Sequence, residues 1–195
     1  MAFLRSISKP DTSPLVIGDG VWLRGPQISD HAEWAALREV SREFLTPWEP
    51  TWSAEELTKA SFRRRIRRYQ RETREDRAYP FFIFRETDNA LVGGCTLSNV
   101  NRGVQQFCTL GYWAGAPFAG QGYVTKAVRA LIPYVFEELK LHRLQAACMP
   151  ENERSKAVLR RCGFREEGYA RGLLRINGVW RDHVQFAILR DDPRL

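Results

Sequence analysis

The sequence predicts a single domain of the α/β (α+β) class, with a mixed, mostly antiparallel central sheet flanked by helices. Three observations carry that prediction. After Pro80 the chain runs through three strand-like segments joined by short turns, the mark of an antiparallel meander. Segments of helical period precede and follow it, where the crossovers of a mixed sheet would lie. The last two strand-like segments flank Asn177–Gly178, a strong hairpin signal. At 195 residues, with no linker-like stretch, the chain is long enough for one buried core. The expected division is a flexible arm over 1–20, the domain over 21–190 and a short tail over 191–195.

Taken in order, "VWLRG" (Val21–Gly25) reads as a strand. "SDHAEWAALREVSREFL" follows as a helix, with Ser29 or Asp30 as N-cap and Ala32, Trp34, Leu37, Val40 and Leu45 as apolar positions. A proline-broken loop, Thr46–Ser53, holds Trp48, Glu49 and Trp52. Ser53 and Glu56 form a capping-box pattern that would start an arginine-rich helix. The meander comprises "FFIFRE", "ALVGGCTLSNV" and "QQFCTLGYWAG". In the last of these, Phe107, Thr109, Gly111 and Trp113 face one way, and Cys108, Leu110 and Tyr112 the other. A glycine-rich turn leads into a helix from about Gln121 to Glu138, with an apolar stripe of Val124, Ala127, Val128, Leu131, Val135 and Phe136. Pro133 within it removes a backbone hydrogen bond and predicts a kink. "RLQAACM" is a strand, Asn152 caps a short helix, and Gly163 stops that helix. "GYARGLLRI" and "VWRDHVQFAIL" make the closing hairpin.

Composition narrows the class. No apolar run approaches the roughly 20 residues that span a bilayer. Pro10, Asp11 and Pro14 interrupt the stretch a signal peptide would need, so the expected compartment is the cytoplasm, with no membrane partner. Cys95, Cys108, Cys148 and Cys162 form no C-x-x-C pair, and the three histidines lie far from any cysteine cluster, so reduced, buried thiols and no metal site are expected. The net charge of +7 concentrates in "SFRRRIRRYQRETREDR", with Arg63, Arg64, Arg65, Arg67, Arg68, Arg71 and Arg74. Such a helix suits RNA or another polyanion. It equally suits a solvated face tempered by Glu72, Glu75 and Asp76.

Two constellations carry chemistry. "PFAGQGYVTKAV" lacks the Lys-Ser/Thr of a Walker A loop and has Thr125 where a Rossmann fingerprint needs a third glycine. What is left is a strand, a Gly-x-Gly turn and a helix N-terminus, a seat for a pyrophosphate. Gly120 and Gly122 would permit close approach, while Gln121, Tyr123, Val124 and Thr125 offer backbone N–H donors. In "MPENERSKAVLRRCGF", Asn152 and Ser155 share one helix face, and Lys156 lies beside them.

Together the two constellations resemble the GNAT superfamily of acetyl-CoA-dependent N-acetyltransferases, over residues 21–190. "LGYWAGAPFAGQGYVTKAV", "HRLQAACMPENERSKAVLRRCGFREEGYAR", "NGVWRDHV" and "LTPWEP" are similar to the branch that acetylates the N-terminal alanine of a ribosomal protein. The resemblance implies acetyl-CoA as cosubstrate and a GNAT-type sheet. It implies that backbone at Trp113 and Ala114 holds the pantetheine arm, and that the Gly120–Thr125 turn holds the pyrophosphate. Asn152 would bond the cosubstrate near the thioester, Ser155 would protonate the departing thiolate, and Lys156 would reach outer phosphates. Pro117 departs from the R/Q position of the signature. A related serine-specific branch uses a glutamate whose place here is Leu174, so that base is not carried over.

An α-amino group has a pKa of about 8, so a useful fraction is neutral at pH 7. Glu49 is the preferred acidic residue, as base or as anchor for the ammonium; Glu151 is the second candidate. Tyr112 is an alternative proton donor, Trp48 and Trp52 are candidate walls of a peptide groove, and His183 reads as structural. The preferred function is acetylation of a protein N-terminus, with the arginine-rich helix approaching ribosomal RNA, as a monomer or a dimer. The alternatives are acetylation of a small amine and a non-catalytic RNA-binding module.

Overall fold

A computed structural model of the protein describes residues 15–193. Among them eight strands form one sheet: β1 (Val16–Gly18), β2 (Val21–Arg24), β3 (Tyr79–Arg85), β4 (Leu91–Asn101), β5 (Phe107–Ala114), β6 (Arg143–Cys148), β7 (Arg165–Ile176) and β8 (Val179–Leu189). Their spatial order is β1-β2-β3-β4-β5-β6-β8-β7, with every neighbouring pair antiparallel except β5 and β6. The helices are α1 (His31–Val40), α2 (Arg42–Leu45), α3 (Lys59–Arg74), α4 (Tyr123–Pro133) and α5 (Glu153–Arg161).

The unbroken apolar run "FFIF" is explained by burial on both faces of the sheet. Phe81 and Ile83 join the core under α4, with Ala127, Val128 and Leu131. Phe82 and Phe84 join Trp34 and Leu37 of α1 and Phe62 and Ile66 of α3 on the other face. Cys108 and Leu110 point to the first core and Trp113 to the second, the alternation expected for β5. The closing hairpin forms as expected, with Ile176 opposite Val179 across Asn177–Gly178. All four cysteines are free and buried.

Several local expectations are corrected. Most of the expected arm, residues 1–14, lies outside the described residues; Val16–Gly18 nevertheless pairs with β2, so the sheet starts ahead of residue 21. The first long helix is broken at Ser41, whose hydroxyl donates to the Leu37 carbonyl at 2.6 Å. Ala32 and Val40 face solvent, and the inward face is Trp34, Leu37, Arg38, Ser41 and Leu45. Asp30, one of the two expected residues, holds the N-cap position of α1, but its side chain makes no capping bond to the helix. Asp30 is buried, accepts from the Gln27 N–H and pairs with Arg24 at 2.7 Å.

The cap of α3 is Thr58, whose Oγ1 accepts from the Ser61 N–H at 3.2 Å. Ser53 and Glu56 close a backbone turn ahead of it instead of a capping box. The helix after the glycine turn starts at Tyr123, two residues later than expected. Pro133, having no N–H for the carbonyl a turn earlier, is followed by a π-helical turn over Tyr134–Glu138, where the Leu139 N–H reaches the Tyr134 carbonyl at 2.9 Å.

Candidate active site

The site is organised by a fork between two strands. β5 and β6 pair in parallel only from Phe107↔Arg143 to Thr109↔Gln145. Beyond that point β5 stays on β4 as far as Gly93↔Ala114, while β6 follows β8 to Cys148↔Val184. The edge of β5 over Gly111–Ala114 therefore faces an opening, with backbone groups that the sheet does not use. Trp113 and Ala114 lie on that edge. At the apex, Gln145 Nε2 donates to Thr109 Oγ1 at 3.2 Å.

One prong of the fork leads into the glycine turn. Gly122, the N-cap of α4, has φ +84°, and Gly120 has φ +77°, both in the left-handed region that favours glycine. A Cβ built at either would meet no protein atom within 4 Å, so the turn is bordered by open space. The first α4 backbone bond runs from Lys126 N–H to the Gly122 carbonyl at 3.0 Å. That leaves the N–H groups of Tyr123, Val124 and Thr125 outside the helical ladder, and the positive end of the helix beside them. Gln121 closes the turn through its side chain, donating to the Pro117 carbonyl at 2.8 Å. The proline that departs from the family signature thus contributes its carbonyl. An open, donor-lined turn of this kind fits a diphosphate.

The other prong leads through Met149 and Pro150 to α5. Asn152 caps the helix, its Oδ1 accepting from the Ser155 N–H at 3.0 Å. Ser155 Oγ lies 2.7 Å from the Tyr112 hydroxyl, which also reaches the Ser155 carbonyl at 3.2 Å. Burial pushes the Tyr112 phenol well above its ordinary value, so it stays protonated at neutral pH, and the bond to Ser155 offsets only part of that shift. The sequence offers Tyr112 as an alternative proton donor, and the structure couples it directly to Ser155. Lys156 is turned to Glu153 at 2.5 Å, so its ammonium is already engaged within α5. His183 is buried with its Nδ1 3.0 Å from the Arg181 carbonyl, as expected of a structural residue.

Glu49 does not stand free. Its two carboxylate oxygens accept from Arg38 Nη1 and Nη2 at 2.7 and 2.6 Å, and one also accepts from Trp52 Nε1 at 2.8 Å. Arg38 is 5% exposed and lies between the rings of Trp52, at 4.1 Å, and Trp113, at 5.0 Å. This corrects the expectation of Glu49 as a free base or ammonium anchor: its charge is committed to Arg38, a residue to which the sequence alone assigns no role. The available signal was Arg38 falling on the same helical face as Trp34, Leu37, Ser41 and Leu45. We expect Arg38→Met to lower unfolding free energy by about 2–3 kcal/mol, because Glu49 loses the partner of a largely buried pair; urea denaturation measures this.

The loop carrying Glu49 also meets the closing hairpin, where the Asn177 N–H donates to the Glu49 carbonyl at 2.9 Å. Between them lies a cleft of about 340 Å³, lined by Thr46, Pro47, Trp48, Met149, Glu151, Ile176, Asn177 and Arg181. Trp48 and Glu151 were singled out in the sequence. The hairpin residues were not, because only the fold brings them within reach of a loop more than a hundred positions away.

The Acetyltransferase (GNAT) domain family matches residues 21–165. A probable N-acetyltransferase of Bacillus subtilis is 37% identical over 175 residues, covering 90% of this chain and 97% of the relative. The [ribosomal protein uS5]-alanine N-acetyltransferase of Escherichia coli is 36% identical over 167 residues, covering 85% of this chain and 86% of the relative. Among solved structures, Mycobacterium smegmatis RimJ in complex with CoA-disulfide superposes with a TM-score of 0.85 at 34% identity, covering 93% of this chain and 88% of the other.

Proposed function

The chain belongs to the GNAT acetyltransferase family and is an acyltransferase, and from that premise we propose that it transfers an acetyl group from acetyl-CoA to the α-amino group of a protein N-terminus, an alanine of a ribosomal protein. The observation that carries the reading is the fork. One of its prongs runs into the open glycine turn, and the other into Glu151 on the wall of the cleft. A cosubstrate with a diphosphate at one end and a thioester at the other would span the opening, with its acyl carbon next to where an amine could arrive. The neighbour solved with a CoA-disulfide, and the relative named for the alanine of uS5, support the same choice.

In this proposal the free edge of β5 at Trp113 and Ala114 aligns the pantetheine amides. Gly120, Gln121, Gly122, Tyr123, Val124 and Thr125 form the diphosphate seat. Bound acetyl-CoA supplies the electrophilic thioester carbon. Glu151 anchors the acceptor ammonium at the cleft. The neutral fraction of that amine forms the C–N bond as the C–S bond breaks. Asn152 fixes the start of α5, so that Ser155 Oγ can give its proton to the departing sulfur. Tyr112, kept protonated by burial, stands 2.7 Å behind Ser155 to replace that proton, and solvent returns one to Tyr112 once the thiol has left. The proton released by the new amide leaves through the exposed cleft.

Steady-state assays with an alanine-starting peptide and with spermidine test the acceptor. The peptide should turn over and spermidine should not; spermidine turnover alone would reverse the assignment. Glu151→Gln should raise the peptide KM about tenfold while kcat changes less than about threefold.

A further inference from the structure

The charge of this protein has an unusual distribution. Lys59–Arg74, the span of α3, contains eight of the 30 basic residues and one of the 23 acidic residues, so this one helix carries the whole net charge of +7 and the rest of the chain sums to zero. The helix is held to the sheet by Phe62 and Ile66, both fully buried. Its arginines therefore project from a fixed support.

Arg63, Arg67, Arg71 and Arg74 are exposed and follow one another at spacings of four, four and three residues, which sets them on a single face. Successive heads are about 6 Å apart along the axis, and the row is about 16 Å long. Among the described residues, no carboxylate lies within ion-pair distance of any of these four. Their neighbours Arg64 and Arg68 pair with Glu55 at 3.2 Å and Glu72 at 3.8 Å. Those pairs are solvent-exposed and weak, and a phosphate could displace them.

From this row we propose that α3 docks the enzyme onto the phosphate backbone of folded RNA. Seven of the eight cations are arginine, whose planar fork grips phosphate bidentately and also stacks on bases. No exposed aromatic or aliphatic side chain larger than alanine interrupts the outer face of α3, so the apolar half of a membrane-inserting helix is missing. The choice of RNA among polyanions rests on the acceptor reading above, since a ribosomal protein presents its N-terminus beside RNA.

The test uses the full chain, a fluorescent RNA stem-loop, and anisotropy over a range of potassium chloride. The logarithm of the affinity should fall against the logarithm of salt with a slope of about −3, the value for some four neutralised phosphates. A variant combining Arg63→Gln, Arg67→Gln, Arg71→Gln and Arg74→Gln should bind at least about tenfold more weakly, with a clearly shallower slope. Acetylation of free alanine peptide and the thermal midpoint should be unchanged in that variant, because none of the four residues touches the cleft, the fork or the core. Equal RNA affinity of variant and wild type would overturn the proposal. So would tighter binding to phosphatidylserine vesicles, polyglutamate or a DNA duplex than to the RNA. If the peptide is not acetylated but RNA binding is lost in the variant, the acceptor reading fails and the docking surface stands.

Discussion

Gly122→Val is expected to remove measurable coenzyme A binding while leaving the sheet assembled. Two effects act in the same direction. Valine is strained at φ +84°, by about 1–2 kcal/mol, so the turn would shift from its present course. Its side chain would also fill the space that a Cβ at this position enters without meeting protein. A diphosphate seated on the N–H groups of Tyr123, Val124 and Thr125 needs that space. Isothermal titration with coenzyme A, beside far-ultraviolet circular dichroism to verify the fold, gives the answer. Undiminished affinity would show that the diphosphate sits elsewhere. Gly120→Ala should give a loss in weaker form, since φ +77° strains alanine there and its added methyl also enters open space beside the turn.

Ser155→Ala should lower kcat by about a hundredfold and change the KM for acetyl-CoA by less than about threefold. The split follows from the geometry. Ser155 has Tyr112 behind it at 2.7 Å, so its hydroxyl proton is replaceable, and the interaction with sulfur grows only as negative charge develops there. Tyr112→Phe should slow the same step, and the double variant should be no slower than the slower single one, because the two groups act in series. A change confined to KM would reassign Ser155 to binding the cosubstrate in its ground state.

Much of this architecture could be read from the chain. The period-two alternation of Phe107–Trp113, the stripe of α4 and the Asn177–Gly178 turn are local signals. They point to one strand, a helix and a hairpin that the structure also has. The glycine turn was also legible, since nearly everything that defines it lies within six residues. Helix starts were less so: Thr58 and the Ser53–Glu56 pattern compete, and Thr58 wins because its own carbonyl already accepts the Phe62 N–H at 2.9 Å. The role of Glu49 was hidden for another reason. Its sequence neighbours are prolines and tryptophans typical of a loop, whereas its partner Arg38 sits on a helix face that would ordinarily hold an aliphatic residue. The cleft was only half legible, because Ile176, Asn177 and Arg181 reach it through the return of the last hairpin.

The short junction between β5 and β6 has a mechanical meaning as well as a chemical one. Three paired positions join a leaf of strands β1 to β5 to a leaf of β6, β8 and β7, and past Thr109 the backbone ladder between the leaves stops. A molecule that bonds along the bare edge of β5 and packs against β6 and α5 takes the place of the missing ladder. It is then a structural member, shared by both leaves, as well as a reactant. By linkage, such a molecule would stabilise the joined leaves, so coenzyme A should raise the thermal midpoint of the whole sheet.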